Sequence, residues 1–167
     1  MSRFHFSNDL EIAWVVDDKQ MTIGEKRNKL YNYASGLYSL QIDDDDDLCD
    51  GWDELIWEAL GSRPDCVTYK EKCIINGGYY SSNHSLKYAD WGENQDGFDY
   101  VRTPFFKDVI RTEIAKSVPV PHIRFGEDHE WSRLIKPFLK TEEHIDKELY
   151  YYIHESSDPT ERYGLNK

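Results

Sequence analysis

The sequence predicts an α/β domain with a mixed sheet flanked by helices. Three observations carry that prediction. Short apolar strand-like runs alternate with amphipathic helical segments, and Asn76-Gly77-Gly78 is a hairpin signal that adds an antiparallel pair to an otherwise alternating pattern. The 167 residues are one domain's worth of chain, so residues 1–167 read as a single domain. Aliphatic residues are sparse, but 5 Trp, 12 Tyr and 7 Phe can sustain a core, because large rings bury much area each.

In chain order, residues 11–16 (EIAWVV) read as a buried strand ending in Asp17 and Asp18. Thr22-Ile23-Gly24-Glu25 has the form of a capping box and predicts a helix to about Ala34, with Gly36 as its stop. Ile23, Arg27, Leu30 and Ala34 share one face of that helix, which places an arginine on an apolar stripe. Residues 38–42 (YSLQI) form a short strand. Residues 51–60 are helical, with Trp52, Leu55, Ile56 and Ala59 on one face. Residues 66–75 are a strand reversed at Asn76-Gly77-Gly78 into Tyr79-Tyr80, and residues 81–97 read as a long polar loop carrying Tyr88 and Trp91. A helix over 107–116 and a short strand over 123–125 follow. Gly126-Glu127-Asp128 opens a helix over 130–139 that Pro137 shortens, and two late strands span 144–145 and 148–154.

Charge narrows the function classes. Lys plus Arg number 20 and Asp plus Glu 32, a net charge of −12, which argues against nucleic acid or an anionic membrane surface as a partner. The longest apolar run, residues 12–16, is far short of the roughly 20 residues of a membrane span, and residues 1–10 lack a secretory signal. Cys49, Cys66 and Cys73 show no CxxC spacing and read as reduced thiols of a cytoplasmic protein.

The acidic excess is concentrated. Asp43, Asp44, Asp45, Asp46, Asp47 and Asp50 lie within eight positions at the end of a predicted strand, where open α/β sheets place their ligands. A calcium EF-hand fails on register: with its glycine at Gly51, positions three and twelve become Leu48 and Trp57, which cannot be ligands. A strand followed by Asp-x-Asp suits a divalent cation that also holds diphosphate oxygens, and a solvated acidic loop is the alternative. Glu127 and Asp128 suit both a helix N-terminus and a general base at the mouth of a cleft. Lys26 and Arg27 sit in a first helical turn, where anions are favoured; Arg27 points to phosphate, carboxylate or one of the aspartates. His154, after an aromatic strand, is either structural or a metal ligand.

Taken together these segments resemble family-2 glycosyltransferases of the GT-A fold, closest to small glycosyltransferase-like proteins of phages and bacteria. The resemblance runs through strand-Asp17-Asp18, Gly24-Glu25-Lys26-Arg27-Asn28, Ala34-Ser35-Gly36-x-Tyr38, Ile42 with the aspartates, and Phe125-Gly126-Glu127-Asp128-His129-Glu130-Trp131, over about residues 11–152. It implies a nucleotide-sugar donor (a UDP-sugar foremost), a Mn²⁺ or Mg²⁺ ion and inverting transfer to a carbohydrate or other hydroxyl acceptor. By position, Asp17 and Asp18 meet the base or ribose, and Lys26 and Arg27 lie near the base or diphosphate. Asp43 and Asp44 belong to the donor site, and Asp45, Asp46 and His154 to the metal. The Asp-x-Asp pair is Asp43 with Asp45, or Asp44 with Asp46. Asp128 is the implied base, with Glu127 beside it, and Tyr88, Trp91 and Phe98 are candidates to stack on an acceptor sugar. The family's usual first strand–helix unit has no counterpart before residue 11, so the implied GT-A-like sheet is N-terminally shortened. Either residues 3–6 supply a substitute strand, or the chain is a fragment or a reduced relative; a missing first strand exposes a sheet edge and favours pairing with a partner, a second copy among them. The rival readings are a non-catalytic GT-A remnant that binds a sugar, nucleotide or protein, and an acidic metal-binding or charge-mimicking protein.

Overall fold

The computed structural model describes residues 10–16, 18, 20–123 and 125–155. Regular structure begins with helix α1 (Ile23–Tyr33), followed by strands β1 (Tyr38–Ser39) and β2 (Asp47–Leu48) and helix α2 (Trp52–Ala59). A long hairpin, β3 (Cys66–Ile75) and β4 (Gly78–His84), precedes a shorter one, β5 (Gly92–Gln95) and β6 (Phe98–Arg102). Strand β7 (Val109–Arg111) runs into helix α3 (Thr112–Ser117); helix α4 (Glu127–Ile135) and strand β8 (Glu142–His154) complete the set. Among the described residues, no helix is long and apolar enough to cross a membrane.

The strands form one mixed sheet in the order β1-β7-β3-β4-β6-β5, with β8 pairing β3 in parallel and β2 antiparallel. The β4–β6 pair is also parallel. Both hairpins turn through two residues with positive φ, Asn76-Gly77 (51° and 78°) and Asp96-Gly97 (55° and 81°), whose twist matches that of the strands they join. One apolar cluster, around Trp131, Tyr31, Phe105 and Ile135, packs α1, α3 and α4 against the sheet. A second, around Tyr69, Leu149, Tyr150 and Ile56, seats α2 on β3 and β8.

Local chemistry explains the helix starts. The capping box forms: the Glu25 amide donates to the Thr22 hydroxyl (3.2 Å) and the Thr22 amide to the Glu25 carboxylate (2.7 Å). Helix α4 starts after Gly126 at φ 77°, a conformation that suits glycine. The Asn28 side chain ties α1 to the segment before α4, donating to the Val120 carbonyl and accepting from the Val120 amide, both at 2.8 Å.

Several elements differ from the sequence reading. Residues 11–16 form no strand, and Trp14 (78 % exposed) and Val16 (85 %) face solvent; hydrophobicity alone could not say what covers them. Residues 3–6 lie outside the described residues. The inward face of α1 carries Gly24, Arg27 and Tyr31, while Ile23 is exposed. Residues 81–97 are not a loop: β4 continues to His84 and Asp96-Gly97 turns a second hairpin. Residues 107–116 divide into a buried turn, β7 and α3, and Ile123 and Phe125 form no strand. The two late strands are one, β8, with register shifts opposite Tyr69–Glu71. Of the proposed stacking residues, Tyr88 is buried in the fold, Trp91 packs on Arg102 and His129, and Lys70 lies over Phe98.

The sheet also buries charge. His84 Nδ1 lies 3.0 Å from Asp108 Oδ1, and its Nε2 3.3 Å from Glu71 Oε2. Burial by itself would lower the imidazole pKa, but the two carboxylates prevail and raise it to about 9. Burial pushes the Asp108 carboxyl up. His84 is therefore an imidazolium at neutral pH, with both N–H groups donating.

Two outcomes follow from this packing. A Cβ at Gly24 would lie 2.2 Å from the Pro121 carbonyl oxygen, so Gly24→Ala lowers stability by about 1–3 kcal/mol, read as a fall in Tm. A histidine with a raised folded pKa stabilises fully below its unfolded value and loses that contribution as pH rises. Denaturant unfolding should therefore show stability falling between pH 6.5 and about 9, by up to about 3 kcal/mol. His84→Gln removes the decline in that window; an equal decline in the variant would contradict the assignment.

Candidate functional site

The acidic run is a turn with two anchored feet and two exposed corners. The Asp46 amide donates to the Asp43 carbonyl at 3.1 Å, which leaves Asp44 and Asp45 at the corners, both exposed. The strand expected over 38–42 is only Tyr38–Ser39, and Asp43 reaches the turn because Gln41 is tied down just before it: its amide donates to the Phe106 carbonyl (3.0 Å) and its side chain to the Arg27 carbonyl (3.1 Å).

Arg27 anchors the first foot. Its Nη2 donates to both oxygens of Asp43, at 3.0 and 3.3 Å, and its guanidinium lies 3.2 Å above the Phe106 ring centre. Nε sits 3.8 Å from Glu127 Oε1, beyond hydrogen-bond reach, and is a buried donor without a partner. The arginine on the apolar stripe of α1 thus points inward, between the acidic turn and the start of α4. Burial raises the Glu127 carboxyl above its ordinary pKa, Asp128 adds to this, and Arg27 partly offsets it. Asp128 is half-exposed beside it, with one oxygen accepting from the His129 amide at 2.7 Å, and it lies within electrostatic reach of Arg102.

The second foot has a different anchor. Asp46 has no exposed side-chain surface, and Lys107 Nζ lies 2.8 Å from its Oδ2. The Tyr150 hydroxyl donates to the same oxygen (2.7 Å), and the Ile153 amide donates to Oδ1 (3.0 Å). Lys107 also reaches Glu71 Oε1 at 3.1 Å and lies over the rings of Tyr150 and Tyr152. Burial alone would raise the Glu71 carboxyl, but Lys107 and His84 hold it at about 2. The same two influences act on Lys107: burial lowers its pKa, while Glu71 and Asp46 raise it further. A continuous buried line therefore runs from Asp46 through Lys107, Glu71 and His84 to Asp108.

The residues singled out in the sequence now have places. Arg27, Asp43 and Glu127 come together, Asp128 follows Glu127 in the first turn of α4, and Asp44 and Asp45 are exposed on the turn. Lys26 is half-buried in the first turn of α1, and Asp18 is exposed ahead of that helix. Asp17 lies outside the described residues. Asp46, expected near the metal, has both oxygens engaged by internal donors and an ammonium. His154 ends β8, its ring stacked on Tyr152, and the Ile153–Asp46 bond joins that strand end to the turn. Lys107, Glu71, Tyr150 and Gln41 were missed. The one available signal was Lys107-Asp108 directly after Phe105-Phe106, a charged pair embedded in aromatics.

Among the described residues, no three His, Cys, Asp or Glu side chains converge as a metal site. A divalent cation at this turn would be a shared one, with the exposed Asp45 and, at the end of β8, His154 offered by the protein and ligand oxygens or water in the remaining positions.

No family model and no curated protein sequence matches this chain. Solved structures do. Residues 1–349 of S. aureus TarS align with TM-score 0.60 and 18 % identity over 79 % of this chain and 40 % of that one. The same TarS segment in complex with UDP gives 0.60 and 17 % over 85 % and 42 %, and in complex with UDP-GlcNAc 0.62 and 16 % over 82 % and 40 %. The chain thus spans about two fifths of those TarS structures. What it shares with them is the fold, a GT-A-like mixed sheet flanked by helices.

Proposed function

We propose that the chain binds a nucleotide-diphosphate sugar, a UDP-sugar foremost, and transfers the sugar with inversion to an acceptor hydroxyl. The observation that carries this reading is Arg27, which draws the acidic turn and the Glu127–Asp128 pair, remote in sequence, to one place. Its Nε is a buried donor with no hydrogen-bond partner, 3.8 Å from Glu127 Oε1, which a ligand oxygen would satisfy. The UDP and UDP-GlcNAc complexes of TarS support the same donor class on this fold.

In this reading the donor diphosphate lies at the turn, with Asp43 and Asp44 beside it and Lys26 and Arg27 supplying positive charge. Asp18, with Asp17, serves the nucleoside end. Asp45, with His154 at the strand end, holds the shared Mn²⁺ or Mg²⁺, which when bound supplies charge stabilisation for the departing diphosphate. Arg27 supports the same developing charge from the interior. Asp128, the more open carboxylate, takes the proton of the attacking hydroxyl, and Glu127 stays packed against Arg27 and keeps α4 in register with the turn.

Calorimetric titration with UDP, with and without Mn²⁺, tests the reading. Mn²⁺-dependent UDP binding is expected; no binding under either condition contradicts it. Asp128→Asn should cut transfer or donor hydrolysis by about 100-fold or more while UDP affinity stays within about threefold. UDP binding by the wild-type chain with neither transfer nor donor hydrolysis would assign it instead to a binding module.

A further inference from the structure

We propose that Lys107 is a positioning residue of the acidic turn: its buried ammonium acts as a resident cation that holds Asp46 inward, so that Asp43 and Asp45 form the pair presented to a ligand. The inference rests on the reading that a donor diphosphate meets this turn. Three observations carry it. Asp46 has no exposed side-chain surface and is held by three partners from two elements, Lys107, the Tyr150 hydroxyl and the Ile153 amide. Lys107 is itself immobilised, with Nζ between Asp46 and Glu71 and over the Tyr150 and Tyr152 rings, and with its carbonyl accepting from the Tyr69 hydroxyl. The loop that carries it is internal: residues 103–108 are all buried, and the carbonyls of residues 103–107 accept from Ser132, Asp108, Gln41 and Tyr69.

The physical consequence concerns register. A carboxylate already neutralised by an ammonium and two hydrogen bonds gains little from a second cation, and turning outward would leave Lys107 under-compensated in a buried place. The Asp44–Asp46 pairing is therefore disfavoured by the fold. The other foot of the turn stays available, because Asp43 keeps about a third of its side-chain surface exposed while paired with Arg27. Lys107 thus fixes which aspartates of the run face the ligand without touching the ligand itself.

The test compares wild type, Lys107→Met and the charge-matched double variant Lys107→Met with Asp46→Asn, by calorimetric UDP titration with Mn²⁺ and by thermal melting. Lys107→Met should lower UDP affinity at least tenfold and lower Tm. The double variant no longer buries an uncompensated carboxylate at position 46, while Glu71 keeps only His84 as its cation, so its Tm should recover part of the way toward wild type while its UDP affinity stays at least tenfold reduced. Affinity that recovers together with Tm would show that Lys107 acts only through stability, and overturns the proposal. If the single variant does not fold, the double variant decides alone, with wild-type affinity as the contradicting result. If the wild-type chain binds no UDP, the donor reading fails separately. Hydrogen exchange then tests the positioning: in the double variant the Asp46 and Ile153 amides should exchange at least tenfold faster than in wild type, and unchanged exchange overturns it.

Discussion

A run of adjacent carboxylates inside a folded domain depends on cations placed beneath it, and here two side chains provide them. Arg27 holds Asp43 and Lys107 holds Asp46, one at each foot of the turn. Without these pairs the carboxylates of the run would repel one another with nothing buried to offset them. Both cations are buried, so each pair acts in a low dielectric and each partner becomes costly to leave alone. The rest of the site follows from where those two side chains come from: Arg27 brings α1 and Glu127 with it, and Lys107 brings the internal loop and the centre of the sheet.

The two anchors differ in character. The Arg27 guanidinium is planar, lies over Phe106 and presents several donors, of which Nε has no hydrogen-bond partner. The Lys107 ammonium is fully occupied between Asp46 and Glu71. One anchor lies beside Glu127 at the start of α4 and the other against Glu71 in the centre of the sheet. That asymmetry separates exposed carboxylates from structural ones within a sequence that offers five identical residues in a row.

Local signals in the sequence carried the parts of the fold that local chemistry decides. The capping box at Thr22–Glu25, the Asn76-Gly77 turn, the face of α2 and the helix after Gly126 all appear as their residues imply. Tertiary context decided the rest. The apolar residues 11–16 were a strand by composition, yet they have no partner strand among the described residues. The polar β5–β6 hairpin was hidden because its strands alternate little, although Asp96-Gly97 is a turn signal in plain view. In the site, Arg27 was conspicuous as an arginine on an apolar stripe, and an aspartate partner was one of its two readings. Lys107 could not be found this way, since its role arises from β3, β8 and the turn converging on one loop.

The division of roles between Arg27 and Lys107 predicts a definite geometry that a single experiment can display. A crystal structure of the chain with UDP and Mn²⁺ should place the diphosphate on the Asp43–Asp45 side of the turn, within reach of Arg27. Asp46 should remain on Lys107 and Tyr150. A nucleotide bound elsewhere, or an Asp46 carboxylate turned outward onto the metal with Lys107 released, would contradict it.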